Sequence, residues 1–192
     1  MIEKSHGYDV IADFWEWYQR REARHNPLAN YALDKCEETF SQGISGQAVD
    51  PENADAFLRR GSSYFDKKDY DNAIANYSRA IQLVPKSATA YDDRGAAYSG
   101  KGDYDRAVDD FSLAIKLDPE VALYYCNRGN VYLKEKNYDR AIADYNRAIQ
   151  LNPKYAGANN GRGLAKRAQG DMTGADADIT KARQLEPNNV TP

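Results

Sequence analysis

The chain has 192 residues, 29% charged and 42% hydrophobic, with a formal net charge of −3. That balance suits a folded protein and excludes a disordered or low-complexity one. Positive charge is not gathered anywhere: residues 1–50 hold 5 Lys and Arg against 9 Asp and Glu, and the rest 21 against 20, so nothing points to a nucleic-acid partner.

The first ten residues, "MIEKSHGYDV", lack the charged-then-apolar layout of a secretory signal. No run approaches the ~18 consecutive apolar residues of a membrane span. A cytoplasmic protein with no membrane partner is the expectation. In "YDVIADFWEWYQRREARH", Val10, Phe14, Trp17 and Tyr18 fall at helical spacing, and Ile11 and Trp15 widen the apolar face. Asn26-Pro27 would cap and start a second helix carrying Leu28, Tyr31, Ala32, Cys36 and Phe40 on one stripe. Residues 1–50 therefore read as a helical pair. One reading makes this pair a cap or degenerate repeat that covers Phe57 and Tyr64. The other makes it a docking helix with Trp15 and Trp17 open to a partner or to a second copy, since aromatic anchors dominate interfaces. A Trp on each flank of one helix is hard for a single neighbour to hide.

From Ala54 onward the chain repeats every 34 residues, in units 54–87, 88–121, 122–155 and 156–189 within residues 51–192. Position 8 is Gly61, Gly95, Gly129 and Gly163; position 20 is Ala73, Ala107, Ala141 and Ala175. Position 27 is Ala80, Ala114, Ala148 and Ala182, and position 32 is Pro85, Pro119, Pro153 and Pro187. Such agreement is an internal repeat. Within a unit, positions 4, 8 and 11 share one helical face, and positions 20, 24, 27 and 28 share a second. Polar stretches such as "SGKGDY" separate the two, and Asp118-Pro119 and Asn152-Pro153 close one unit and open the next. Small residues at 8, 20 and 27 let helices approach, and aromatics at 4, 11 and 24 fill the gaps beside them. The fold class is all-α, with helix–turn–helix units stacked in a line.

These columns resemble the tetratricopeptide repeat family over residues 54–187: 34 residues, an aromatic at 4, Gly at 8, Tyr at 11, Ala at 20 and 27, Pro at 32. The resemblance implies an α-α superhelix, a solenoid of stacked antiparallel helix pairs. The chain departs from the pattern at position 4, which is never Trp, and at position 7, which is Arg60, Arg94, Arg128 and Arg162 where the family commonly has Leu. Those arginines read as bridges to the partner helix, with a stripe for anionic partners as the alternative. Unit four departs further. Positions 21 and 28 are Ile or Val in units one to three, but Asp176 and Arg183 in unit four, as a solvated outer face requires. The last unit is expected to cap itself.

No chemistry is legible. His6 and His25 have no ligand partners at metal spacing, and Cys36 and Cys126 form no CxxC pair. "SGKGD" lacks the frame of a phosphate loop. No catalytic residue, metal or cofactor is expected. The resemblance instead implies a non-catalytic adaptor or scaffold that binds a protein or peptide in a concave groove lined by first helices. The lining would include Asp55, Arg59, Ser62 and Asp66 from unit one, Asp92 and Asp93 from unit two, Leu123, Asn127, Asn130 and Lys134 from unit three, and Asn160 and Arg167 from unit four. In the family, Asn at positions 6 and 9 often binds peptide backbone, which marks Asn127 and Asn130. A family subtype clamps a terminal carboxylate, but Asp92, Ala96, Gly157 and Gly161 stand where that clamp needs Lys, Asn or basic residues. The acidic side chains suggest a partner whose basic part lies over units one and two. A homo-oligomeric scaffold, joined through the Trp-bearing helix or the array ends, is the alternative.

Overall fold

The chain divides into two compact units, Met1–Ala48 and Val49–Pro192. The computed structural model describes residues 51–186, all within the second unit; Trp15, Trp17 and the expected helical pair lie outside them. Over the described residues the chain forms helix pairs and no strand: α1 (Pro51–Asp66) with α2 (Tyr70–Leu83), α3 (Ala88–Lys101) with α4 (Tyr104–Leu117), α5 (Ala122–Lys134) with α6 (Tyr138–Leu151), and α7 (Ala156–Ala168) with α8 (Met172–Leu185).

Local chemistry sets where each helix starts and stops. Every second helix opens on a short polar side chain (Asp69, Asp103, Asn137 or Asp171) that accepts the backbone N–H three residues on. These caps satisfy donors that the first turn leaves free. The residue before each cap is left-handed, with φ of 59° at Lys68, 87° at Gly102, 62° at Lys136 and 91° at Gly170. Two units thus place a lysine where glycine would fit without strain. At the other end, Val84, Asp118 and Asn152 leave the helical conformation just before their prolines, as the sequence led one to expect.

Within a unit the helices interlock through the column of glycines. A β-carbon on Gly61 would lie 2.6 Å from the Tyr77 ring, and on Gly95 or Gly129 it would lie 3.0 Å from Phe111 or Tyr145. Phe111 and Tyr145 are fully buried, which stabilises the fold by about 2–3 kcal/mol each. The same clusters cross unit boundaries. Tyr77 packs with Ala97, Phe111 with Val131, and Tyr145 with Ala158 and Ala165. Each unit thereby completes the core of its neighbour. In unit four Asp176 and Arg183 stand exposed.

The arginine column is a set of clips. Arg94 forks onto Asp110 through Nε and Nη2 (2.7 and 2.8 Å), and Arg128 onto Asp144 (both 2.8 Å). Arg162 does the same with Asp178 (2.8 and 2.5 Å). The remaining arm, Nη1, donates to the preceding unit: to Ser78 (3.1 Å), Ser112 (2.9 Å) and Asn146 (2.7 Å) respectively. In unit one the carboxylate is replaced by Asn76, which accepts from Arg60 Nε at 2.5 Å. The acidic partners Asp110, Asp144 and Asp178 are buried. A guanidinium stripe open to anionic partners is therefore not what this column builds.

Successive first helices touch one another, α1 to α3, α3 to α5 and α5 to α7, whereas successive second helices do not. The first helices take the inside of the curve, and their free faces line its concave side.

Candidate functional site: the first-helix face

Asp55, Arg59, Ser62, Asp66, Leu123, Asn130, Lys134, Asn160 and Arg167 are exposed. Leu164, 42% exposed, is an apolar point of this face in unit four, as Leu123, at 44%, is in unit three. Several of the polar groups already have partners. Arg167 Nη2 pairs with Asp176 at 2.8 Å, and Lys134 Nζ donates to Ser99 at 3.3 Å while lying 5.6 Å from the Tyr104 ring centre. Asn130 accepts from the Tyr145 hydroxyl at 2.8 Å, and Ser62 from Tyr77 at 3.3 Å.

Asp92 and Asn127 differ from the open lining expected of them. Asp92 is only 6% exposed, and the Asn127 amide donates to its Oδ1 at 2.9 Å. The two form a bridge between units two and three. Burial pushes the Asp92 carboxyl up to about 6, against the Asn127 hydrogen bond and reinforced by neighbouring Asp93. Asp93 is half-buried, and burial raises it likewise to about 6. Asp93 and Asp66 also act on the Tyr77 hydroxyl, whose own titration is raised chiefly by burial. The open acidic surface over units one and two thus rests on Asp55, Asp66 and the edge of Asp93.

Other groups of this face are enclosed by the stack. Tyr124 is buried with its hydroxyl on Thr89, and Cys126, 3% exposed, is hydrogen-bonded with Tyr155. Gly161 is required because a β-carbon there would lie 2.5 Å from the Tyr145 ring. The signal that would have found Tyr124 is a spacing of 35, one more than the repeat, because position p of one first helix meets p+1 of the next. Among the described residues no group of His, Cys, Asp and Glu is placed to hold a metal ion, and no helix is long and apolar enough to cross a membrane.

The stack of pairs, the glycine–aromatic interlock and the concave first-helix face can be set against known proteins. The tetratricopeptide repeat model matches residues 122–155, and a further TPR repeat model matches 61–102 and 100–136. A crystal structure of MamA is 30% identical, covering 72% of this chain and 81% of its own, with a TM-score of 0.65. The chain belongs to the tetratricopeptide repeat family. This tetratricopeptide protein is also similar to the first TPR of Spaghetti (RPAP3), described as bound to the HSP90 peptide SRMEEVD; identity is 26% over 65% of this chain and 99% of that one, TM-score 0.62. A thermophilic TPR protein of Thermus thermophilus, 21% identical over 70% and 75% with a TM-score of 0.65, shares the fold. No curated protein matches the sequence. Tetratricopeptide arrays are protein-interaction folds, and that is the class to which this chain belongs.

Proposed function

We propose that the chain is a non-catalytic adaptor that binds an extended peptide or helix of a partner protein along α1, α3, α5 and α7. One observation carries the reading. The columns that recur in every unit are committed to the stack, while Asp55, Arg59, Asp66, Leu123, Lys134, Asn160, Leu164 and Arg167, at positions that vary between units, stand exposed on the first-helix face. Exposed Asp55 and Asp66 favour the partner's basic part over units one and two, and Leu123 and Leu164 offer apolar seats over units three and four. The peptide on the Spaghetti domain, SRMEEVD, is acidic, and Asp55 and Asp66 would repel such a segment. Asp92, Ala96, Gly157 and Gly161 likewise supply no clamp for a terminal carboxylate, so this partner is engaged along its length.

The test is capture from lysate with the whole chain beside a variant carrying Asp55→Lys, Asp66→Lys and Leu123→Glu. These positions are exposed, so the variant is expected to fold, which circular dichroism would verify. A partner captured by the whole chain and lost with the variant supports the groove. Equal capture by both would refute it. Synthetic fragments of the partner should then bind more weakly when their Lys and Arg are replaced.

A further inference from the structure

The joint between units two and three differs from the joints on either side of it. Along α3 and α5, residues 35 apart face each other: Thr89 with Tyr124, Asp92 with Asn127, and Ser99 with Lys134. These rungs are polar, with Ala96 and Val131 completing the stripe at the same spacing, in one cluster. The flanking joints use apolar or small residues instead. Leu58 and Phe65 cluster with Ala97 between units one and two, and Cys126 and Leu133 with Ala158 and Ala165 between units three and four.

The middle seam also holds a buried carboxylate, Asp92, and the next residue along α3, Asp93, is half-buried. Among the described residues, no lysine or arginine acts on either carboxyl. From α5 the pair meets Tyr124 and Asn127, from the segment before α7 Tyr155, and from α2 Tyr77, with Asp66 of α1 acting on the same Tyr77. The Arg94 guanidinium of α3 is committed to Asp110 of α4. The capping Asp118 of α4 acts on Tyr124. Every group facing the two acids is therefore neutral or acidic, and a charge held there has one amide to compensate it.

We infer that the α3–α5 seam is a proton-controlled joint. With Asp92 ionised the seam draws in water and opens, and with a proton on Asp92 it closes, changing the angle between units one-two and three-four. The physical reason is desolvation: a buried carboxylate without a cation is costly, and water entering the seam relieves it. Asp92 changes charge close to physiological pH, because burial lifts its carboxyl from 3.8 to about 6. The joint would alter the curvature of the concave face whatever occupies it, so the inference does not depend on the proposed partner.

The test is backbone hydrogen exchange of the whole chain, read as protection relative to the unfolded rate, with small-angle scattering in parallel. For a carboxyl moved from 3.8 to about 6, the open fraction of the α3 and α5 amides should rise about tenfold from about pH 5 to about pH 7.5. Asp92→Asn should remove most of that rise and hold the closed form at both pH values. Asn127→Asp, which sets a third acid on the seam, should steepen it. Equal protection of wild-type α3 and α5 at the two pH values would overturn the inference. So would an undiminished pH response in Asp92→Asn, or an opening that spreads evenly over all four units.

Discussion

Truncating Asp144 to alanine tests whether the arginine column is the clip that its geometry implies. The substitution removes two hydrogen bonds of 2.8 Å and leaves the Arg128 guanidinium, 21% exposed, with Ser112 at 2.9 Å. Stranding one partner of a fully buried pair costs about 3–5 kcal/mol. Water can reach the uncovered fifth of Arg128, so the loss should sit near the lower end, about 3 kcal/mol. In a body of this size that corresponds to a fall in Tm of roughly 10 °C. Urea unfolding followed by circular dichroism would measure it, with Asp71→Ala as the control. Asp71 pairs with Lys101 in solvent, and its loss should cost no more than about 0.5 kcal/mol. Replacing both members, Arg128→Met with Asp144→Leu, should return to within about 1 kcal/mol of wild type, because an apolar pair needs no desolvation. If Asp144→Ala costs less than about 1 kcal/mol, or the double variant is no better than the single one, the clip reasoning is wrong.

Gly163→Ala should destabilise by about 2 kcal/mol despite alanine's helix propensity, because its β-carbon would meet Ile179 at 2.8 Å and the Ala175 carbonyl at 3.0 Å; thermal unfolding would show it. Lys136→Gly, at φ 62°, should raise the urea midpoint, stabilising by about 0.5–1 kcal/mol, since left-handed backbone strains a side chain more than glycine costs in chain entropy. The Asp92 carboxyl makes stability fall with pH. Its folded value is raised, so its contribution of about 3 kcal/mol is fully present below 3.8 and lost as pH rises through about 6. Urea midpoints taken between about pH 4.5 and about pH 7.5 should decline accordingly, and Asp92→Asn should flatten the decline.

The repeat was legible because packing contacts recur: a glycine met by an aromatic in unit after unit writes itself into the sequence as a column. The arginines were legible as bridges for the same reason. Their second arm was not, because it reaches residues of the preceding unit that no single-helix periodicity connects. Asp92 was misplaced as open lining for a related cause. Position 5 faces the groove by helical angle, but the curve brings the next first helix over it, and Asn127 closes it in. The caps at Asp69, Asp103, Asn137 and Asp171 were visible as turn polarity without their role being evident. What sequence could not convey is which contacts occur once, and the middle joint consists of those.

The clips give the array a direction. Arg94, Arg128 and Arg162 each close within their own unit and reach backwards into the one before, never forwards. Removing a unit from the carboxyl side therefore leaves every earlier guanidinium with all its acceptors. Removing one from the amino side strips an acceptor from the unit left in front. By these clips the solenoid can lose whole units without stranding a guanidinium at one end only. A unit added there by duplication would find exposed Thr180 standing where Ser78, Ser112 and Asn146 stand in the units before, its hydroxyl open to the newcomer's arginine.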